Sequence, residues 1–317
     1  MEKWRSYKGI KISEKPVQKL KEKYSATADI VSFQICPRQY GFFKIRKYQP
    51  AHIVQIWYGT VIHQVLDKLH MHYKGLLDPS TEGSIPTDQD VERYFLEVEN
   101  SLLASKGIRA ITENVRNSAL KVLQRFNRLE GPTLYPLVED TECEFQSDRG
   151  SYILSGRVDV LRDISTMGKV PKGYDAKEIW DYKGTHYPDT STKSGREKLK
   201  RYRFQMLVYA ELYKEKYGLY PLKGVIYFMN ELLDASSEPT VRPPQAVYEI
   251  DFRDPRNLDD IEEAMELFDK TVEEIEDKKR KDVWEPPKIP PDKETCDICD
   301  LRWSCPLMKS KYRMRYP

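Results

Sequence analysis

Apolar residues recur at helical spacing in five parts of the chain. The first predicts a helix over residues 59–71. The stretches 91–102 and 115–126 repeat the amphipathic pattern and predict two further helices. Residues 195–217 and 258–279 predict two longer ones, the last with a continuous apolar stripe on one side. Most of the helical content is therefore expected before residue 130 and after residue 190.

Strand-like alternation begins at Thr141. The segment TECEFQ, a turn at SDRG and then SYILSGRVDVL predict a β-hairpin whose second strand carries Asp159. Residues 178–182, 224–229 and 246–252 predict three more strands. Strands that alternate with helices indicate an α/β fold with a central sheet flanked by helices.

Proline and polar residues mark the ends of the pattern. Residues 14–30 read as a polar lead-in, and SFQICPRQYGFF from Ser32 predicts a helix whose early part is disturbed by Pro37. The segment EPPKIPPDKE, residues 285–294, reads as a proline-rich connector. At 317 residues, one decorated domain is expected over 1–317. Its parts are a helical insertion at 75–135, a core sheet with its helix at 141–252, and a cysteine-containing terminal segment at 285–317.

Composition and charge limit the classes of function that this chain can have. No apolar run approaches the roughly 20 residues that span a bilayer, and the first residues lack the apolar centre of a secretory signal, so we expect a cytoplasmic protein with no membrane partner. The net charge is only +2, yet KSGREKLKRYR, residues 193–203, carries six basic side chains, and residues 301–317 carry five and no acidic one. This segregation suits either a cationic face for a polyanion or ordinary solvated helix faces.

Candidate catalytic residues lie on predicted helices and at strand ends. Side chains alternate along a strand, so Asp181 and Lys183 in DYK point to the same side, with Tyr182 opposite. Asp159 on a neighbouring strand and His63 on the first helix can join them. Two carboxylates, a neutral imidazole and the Tyr182 carbonyl would form a site for Mg²⁺ or Mn²⁺, and the lysine would orient and activate the attacking water.

A second group of candidates follows on the next helix. Gln205 and Tyr209 are four residues apart and so share one helix face, directly after the basic run. That geometry suits contact with a nucleic-acid backbone, and the basic side chains Lys200, Arg201 and Arg203 are candidate DNA-binding residues. The alternative for Tyr209 is an ordinary half-buried tyrosine.

The cysteines form a third candidate site. Cys296, Cys299 and Cys305 form C-x₂-C-x₅-C, which reads as part of a metal site with a fourth ligand from elsewhere. Cys36, followed by proline, is the candidate fourth ligand. Zinc and an iron–sulfur cluster are both open from the spacing. Cys143, in a predicted strand, does not fit the ligand pattern and is expected to be a buried thiol.

Four segments in this order resemble the PD-(D/E)XK nucleases. They are GTVIH ending at His63, GRVDV containing Asp159, DYK and QMLVY from Gln205 to Tyr209. The resemblance is to the branch that includes the nuclease domains of RecB and AddB, exonuclease V and the CRISPR-associated Cas-four nucleases. It implies a nuclease core with a mixed sheet. It also implies that the histidine and both aspartates bind the metal, that Lys183 assists the water and that the glutamine and tyrosine support DNA contact.

The same resemblance favours a [4Fe-4S] cluster over Zn²⁺ at Cys36 and the C-terminal triplet, as a structural clamp joining the two terminal segments. It implies a deoxyribonuclease, more an exonuclease than an endonuclease, acting on single-stranded or unwound DNA ends. The setting would be CRISPR adaptation or DNA repair, with a helicase or a CRISPR integrase as partner. The alternative is a non-catalytic DNA-binding or assembly subunit, against which the intact Asp159, Asp181 and Lys183 argue.

Overall fold

A computed structural model describes residues 20–48, 54–233, 240–291, 293–297, 299–308 and 311. Within these residues six strands form one mixed sheet: β1 (Lys23–Ser25), β2 (Val138–Asp148), β3 (Ile153–Asp163), β4 (Tyr174–Lys183), β5 (Tyr220–Phe228) and β6 (Val247–Asp251). The α-helices of the described residues are α1 (Ser32–Ile35), α2 (Pro37–Gln39), α3 (Val54–Tyr73), α4 (Asp88–Lys106), α5 (Glu113–Leu134), α6 (Lys193–Tyr217), α7 (Pro255–Lys281) and α8 (Lys293–Asp297).

The sheet has the strand order β1-β3-β4-β5-β6, with β2 paired to β3. The β2–β3, β3–β4 and β5–β6 pairs are antiparallel, whereas β4 and β5 are parallel. Parallel neighbours need a crossover connection, and α6 provides it. Helix α6, which follows DYK, therefore packs across the sheet between β4 and β5.

The strand β3 has two partners on one side, and they do not meet. On that side β1 pairs with Ile153–Ser155, while β4 pairs only with Val160–Asp163. Residues 156–159 therefore have no strand partner there, although β2 accompanies β3 along its other side. This split places Asp159 where β3 and β4 separate, and the separation makes room for a site at the end of β4.

Helices cover the sheet in two layers. Apolar side chains of α6, α7 and the N-terminal helical turns pack on one face, around Leu212 and Phe268. Helices α3, α4 and α5 pack on the other, around Trp57, Phe95 and Phe126. Because strand side chains alternate, Ile179 joins the first core while Trp180 and Tyr182 join the second.

Most predicted elements are confirmed. All five helices, the hairpin and the three later strands form, and most of their bounds agree with the predicted ones to within five residues. Helix α5 continues to Leu134, eight residues beyond its predicted end, and the hairpin turn lies at 149–152, two residues after the predicted SDRG. Pro37 also interrupts the helix after Ser32 as expected, and it leaves Cys36 in an extended conformation between α1 and α2. The expected polar lead-in was wrong for residues 23–30, which form β1 and a buried helical segment, Ala26–Val31. Residues 14–19 of that lead-in lie outside the described residues.

Candidate active site

One candidate metal site lies between α3 and the β2–β3 hairpin. Among the residues that the structure describes, His63, Glu142 and Asp159 form the only group of three potential ligands whose ligand atoms all lie within 4.8 Å of one another. His63 Nδ1 is 3.2 Å from Asp159 Oδ1. The two residues come from α3 and β3, so the pair exists only because α3 packs against the strand split.

The second carboxylate oxygen of Asp159 is held by the neighbouring strand. Asp159 Oδ2 accepts a hydrogen bond from the backbone N–H of Tyr182 at 2.7 Å. This bond replaces the strand pairing that ends at Val160. It ties the two strands together at the split and brings Asp159 beside the DYK segment, while the Tyr182 side chain points into the core on the other side.

Asp181 and Lys183 lie together in a network with α6. The Lys183 ammonium is 2.6 Å from Asp181 Oδ2 and donates to Gln205 Oε1 at 2.8 Å. Gln205 Nε2 in turn donates to Asp181 Oδ1 at 2.6 Å and contacts the Tyr209 hydroxyl at 2.8 Å. Alternation along β4 points both charged side chains toward α6, as the sequence predicts.

The carboxylates of Asp159 and Asp181 shift the pKa values of the groups around them. Burial opposes protonation of His63, but the charges of Asp159 and Asp181 outweigh it and raise the pKa of His63 to about 9. Burial raises the pKa of Asp181, and the nearby Asp159 raises it further, although Lys183 opposes both effects. A divalent cation would relieve this repulsion between carboxylates.

The donor set fits a hard divalent ion. Carboxylate oxygens with one imidazole are ligands that Mg²⁺ and Mn²⁺ accept. Asp181 Oδ2 is fully buried and has no aligned hydrogen-bond donor, since the Lys183 contact is an ion pair without hydrogen-bond geometry. A buried carboxylate oxygen with an unused lone pair is costly unless something binds it. His63, Glu142 and Asp159 can therefore hold a metal together. Asp181 is not one of the three described residues whose ligand atoms all lie within 4.8 Å of one another, so its carboxylate would have to approach them to share an ion.

A cavity of about 590 Å³ opens over this site. His63, Glu142, Arg157 and Asp159 line it together with residues of α3: Gly59, Thr60, Gln64 and Asp67. His63 keeps 30% of its side-chain surface exposed, whereas Asp181 keeps 3%. The cavity is large and open enough to admit a phosphodiester to the ligand group.

The family model that describes the PD-(D/E)XK nuclease superfamily matches residues 25–306. The chain belongs to the PD-(D/E)XK nuclease superfamily. Its fold is similar to the crystal structure of a "putative exonuclease" from Eubacterium rectale, with a TM-score of 0.50 and 13% sequence identity, over 93% of this chain and 90% of that one. No curated protein matches the sequence. Among the described helices of this nuclease, none has the length and hydropathy of a membrane-spanning segment.

The glutamine and tyrosine of this PD-(D/E)XK nuclease are internal. Gln205 and Tyr209 are 3% and 5% exposed, and both take part in the network around Asp181. They fix the conformation of Asp181 and Lys183 from inside the core. Their predicted support of DNA contact stays a prediction, and from this position it would act through the residues that they hold.

The three basic DNA-binding candidates of the nuclease have different surroundings. Arg203 is held by Asn257 and Asp260 of α7, so it joins two helices, and its role in DNA binding stays a prediction. Lys200 is largely exposed and has only a weak pairing with Glu197 at 3.5 Å. Lys200 and the half-exposed Arg201 remain candidates for a polyanion contact.

The four predicted cysteine ligands of the nuclease converge. Cys36, Cys296, Cys299 and Cys305 line one small cavity together with Arg38 and prolines of the connector. Burial raises the pKa of the Cys36 and Cys299 thiols, and the neighbouring cysteines raise it further. Cys143 lies apart on β2 as a buried free thiol, as expected. Residues 309, 310 and 312–317 of the basic tail lie outside the described residues.

Sequence reasoning missed Glu142. It lies on β2 in TECEF, among other acidic residues, and nothing in that segment distinguishes it from a solvent-facing glutamate. The structure distinguishes it by its backbone, since its φ of 52° is in the left-handed region that few residues other than glycine adopt. Such strained positions cluster at functional sites.

Proposed function

We propose that this protein is a Mg²⁺- or Mn²⁺-dependent deoxyribonuclease that hydrolyses phosphodiester bonds. The observation that carries the proposal is the strand split at Asp159. There, an imidazole–carboxylate pair from one side of the sheet adjoins an Asp181–Lys183–Gln205 network from the other. A site of this composition with an open cavity suits metal-assisted hydrolysis of a charged diester.

We assign the residues as follows. His63, Asp159 and Asp181 would hold the ion, with the Tyr182 carbonyl as a further ligand, and a bound ion would supply Lewis-acid activation of water and phosphate. Lys183 would hold and orient the attacking water and stabilise the negative charge that develops on the phosphate. Gln205 fixes both Asp181 and Lys183 through its two amide atoms, and Tyr209 fixes Gln205.

Replacing Asp181 tests the catalytic assignment. Asp181→Asn keeps the side-chain volume but removes a ligand charge, and we expect it to lower Mn²⁺-dependent degradation of labelled DNA by about 10²-fold or more, because mutation of the groups that only support metal ligands already costs about 10- to 100-fold. Asp175→Asn is the matched control, because Asp175 is on the same strand but bonds Tyr213 outside the site. Equal degradation by wild type and Asp181→Asn would refute the assignment, and an inactive wild type would favour a non-catalytic DNA-binding or assembly subunit.

We propose that the substrate is single-stranded or unwound DNA with free ends. The similar fold of the "putative exonuclease" from Eubacterium rectale and the exposed Lys200 near the start of α6 support this. Comparison of linear and circular single strands tests it. Degradation confined to the linear form is expected, whereas equal rates on circles would make the protein an endonuclease.

We propose a structural [4Fe-4S] cluster at the four converging cysteines. Cys36, Cys296, Cys299 and Cys305 line one cavity, and four thiolates can bind either Zn²⁺ or a [4Fe-4S] cluster. The resemblance of the remote Cys36 and the C-terminal triplet to the clamp of the iron–sulfur nucleases favours the cluster. Anaerobically purified protein should be brown and lose its colour in Cys36→Ser. A colourless preparation with stoichiometric zinc would overturn the cluster.

The setting that we propose is processing of DNA ends in CRISPR adaptation or in DNA repair and recombination. A helicase or a CRISPR integrase would then supply the unwound end. The genes next to this one would distinguish these settings. Neighbouring genes of neither kind would contradict the proposal.

A further inference from the structure

The strongest unexplained feature beside the site is an arginine held by two glutamates. Arg157 is two residues before Asp159 on β3. Its two terminal nitrogens donate to different carboxylates, NH1 to Glu142 Oε2 and NH2 to Glu144 Oε1, each at 3.1 Å. The side chain is nevertheless 58% exposed. An exposed arginine gains little stability from such pairs, so this arrangement needs another explanation.

Glu142 is both a candidate metal ligand and an ion-pair partner of Arg157. One of its oxygens is in the ligand group with His63 and Asp159, and Oε2 pairs with Arg157. The strained backbone at φ 52° holds the residue at this shared position. A carboxylate that turns toward a cation beside Asp159 must weaken its contact with the guanidinium.

Arg157 also lies between two cavities. It lines the 590 Å³ cavity over the metal ligands and a neighbouring one of about 220 Å³, which is lined by residues of β1, β2 and β3: Lys23, Ser25, Glu144, Phe145, Gln146, Ser155 and Gly156. The two cavities thus adjoin on the part of the sheet between the metal site and β1. A strand of DNA whose scissile phosphate is at the metal site could extend into this second cavity past the guanidinium.

We propose that Arg157 binds a DNA phosphate next to the one attacked, and that Glu142 restrains it until Glu142 is drawn to the divalent ion. The inference rests on the proposed function and extends it. Glu144 continues to orient the guanidinium through NH2, while NH1 is released for the phosphate. Arginine binds phosphate oxygens through such directed N–H groups. Metal binding and DNA binding are thereby coupled through one carboxylate.

Metal binding alone gives a test that needs no turnover. Removing Arg157 frees Glu142 for the ion, so Arg157→Gln should bind Mn²⁺ about two- to fivefold more tightly, the factor that an exposed ion pair contributes. Glu142→Gln should bind Mn²⁺ more weakly. The control is Arg149→Gln, since Arg149 also has two acidic partners but lies at the hairpin turn. Electron paramagnetic resonance of free Mn²⁺ measures the affinity. Unchanged or weaker Mn²⁺ binding in Arg157→Gln would overturn the coupling.

DNA binding gives the second readout. With Ca²⁺ as a substitute ion bound by oxygen ligands, and with recovery of intact DNA checked, wild type should bind a labelled single strand with a steeper salt dependence than Arg157→Gln. The slopes should differ by about 0.7, the value for one phosphate contact. Without a divalent ion the difference should vanish. A difference of the same size in both conditions would overturn the restraint by Glu142.

Different experimental results would refute the proposed function and this inference. If wild type does not degrade DNA and Asp181→Asn behaves identically, the nuclease assignment fails, while the Mn²⁺ affinities still report on the coupling. If wild type is active and Asp181→Asn is not, but Arg157→Gln changes neither the Mn²⁺ affinity nor the salt slope, only the role of Arg157 is refuted.

Discussion

At the scale of single residues, the site depends on a small number of buried polar contacts. Gln205 illustrates this, because its one amide group bonds Asp181, Lys183 and Tyr209. A buried amide that satisfies two charged partners is difficult to replace. Its role is to position the catalytic candidates, since it bonds both of them and is only 3% exposed.

We expect Gln205→Leu to lower both activity and stability. The similar volume avoids a large cavity, but Asp181 and Lys183 each lose a partner, which costs about 1–3 kcal/mol for a buried unsatisfied group. The expected kinetic result is a fall in kcat with KM little changed.

Gln205→Glu keeps an acceptor for Lys183 but places a second acid beside Asp181. It should shift the pH profile of kcat to higher pH. A Gln205→Leu variant with unchanged kcat would show that the contact is only structural.

His70 gives a residue-scale prediction about pH. It is fully buried beside Tyr182, with Nε2 3.3 Å from the hydroxyl oxygen, and burial lowers its pKa to about 3. The unfolded chain binds a proton at this imidazole near pH 6.5, whereas the folded chain does not until pH nears 3. The contribution of His70 to the free energy of unfolding is therefore at its full value above pH 6.5, and it decreases as the pH falls toward 3.

Denaturant unfolding at several pH values measures this effect. Between pH 6 and pH 4 the free energy of unfolding should fall by about 1.4 kcal/mol per pH unit from this proton alone. His70→Gln retains a hydrogen-bonding side chain but cannot titrate, so its pH slope should be smaller by that amount. Identical slopes in the two proteins would contradict the assignment to His70.

At the scale of elements, the distance between α6 and the sheet sets the geometry of the site. Gly156 on β3 allows this distance, because a Cβ there would lie 2.7 Å from Leu212 Cδ1 and 2.9 Å from Tyr209 Cε1. The glycine of GRVDV is therefore needed for close packing of the helix that carries Gln205. Sequence alone identified the motif but not this function of its first residue.

Gly156→Ala should lower stability and activity together. The added methyl group pushes against the Leu212 and Tyr209 side chains, and overpacking of this kind costs about 1–3 kcal/mol. Movement of Tyr209 would also disturb Gln205 and reduce kcat. Gly168→Ala is the control, since no atom lies within 4 Å of its Cβ position. Thermal unfolding and steady-state kinetics measure both effects, and a fully active, equally stable Gly156→Ala would refute the packing argument.

At the scale of the whole molecule, the two terminal segments bind each other independently of the cysteines. Trp284 is 4% exposed and packs so closely on the N-terminal segment that a Cβ on Gly41 would lie 2.0 Å from its ring. Arg46 pairs with Asp282 at 3.0 Å, and Arg38 reaches Ser304 at 3.4 Å. These contacts bring Cys36 to the C-terminal triplet across most of the chain.

Trp284→Ala should weaken this junction. Truncation of a buried tryptophan costs about 3–5 kcal/mol, and the loss should appear as a lower midpoint of thermal unfolding. If the proposed cluster is present, its loss to a chelator should also be faster. Trp303→Ala is the matched control, because Trp303 is in the same terminal region but 47% exposed. Retention of wild-type stability in Trp284→Ala would show that Trp284 does not stabilise the junction.

The sequence alone determined the elements and the order of the chemical groups. Periodicity in residues 59–71 and 141–163 and the spacing of GTVIH, GRVDV, DYK and QMLVY are local properties, so they can be read from neighbouring residues. The structure pairs His63 with Asp159 and Lys183 with Asp181, and the hydrogen bond from the Tyr182 backbone to Asp159 joins the two strands that carry these pairs. Their assignment as metal ligands and catalytic lysine stays a prediction.

Only the tertiary structure decided the rest, because it depends on contacts between distant segments. β1 is too short for a periodic signal and exists through its pairing with β3. The burial of Gln205 follows from how closely α6 approaches the sheet. The dual position of Glu142, between Arg157 and the ligand group, follows from backbone strain and from a strand split that no single segment encodes.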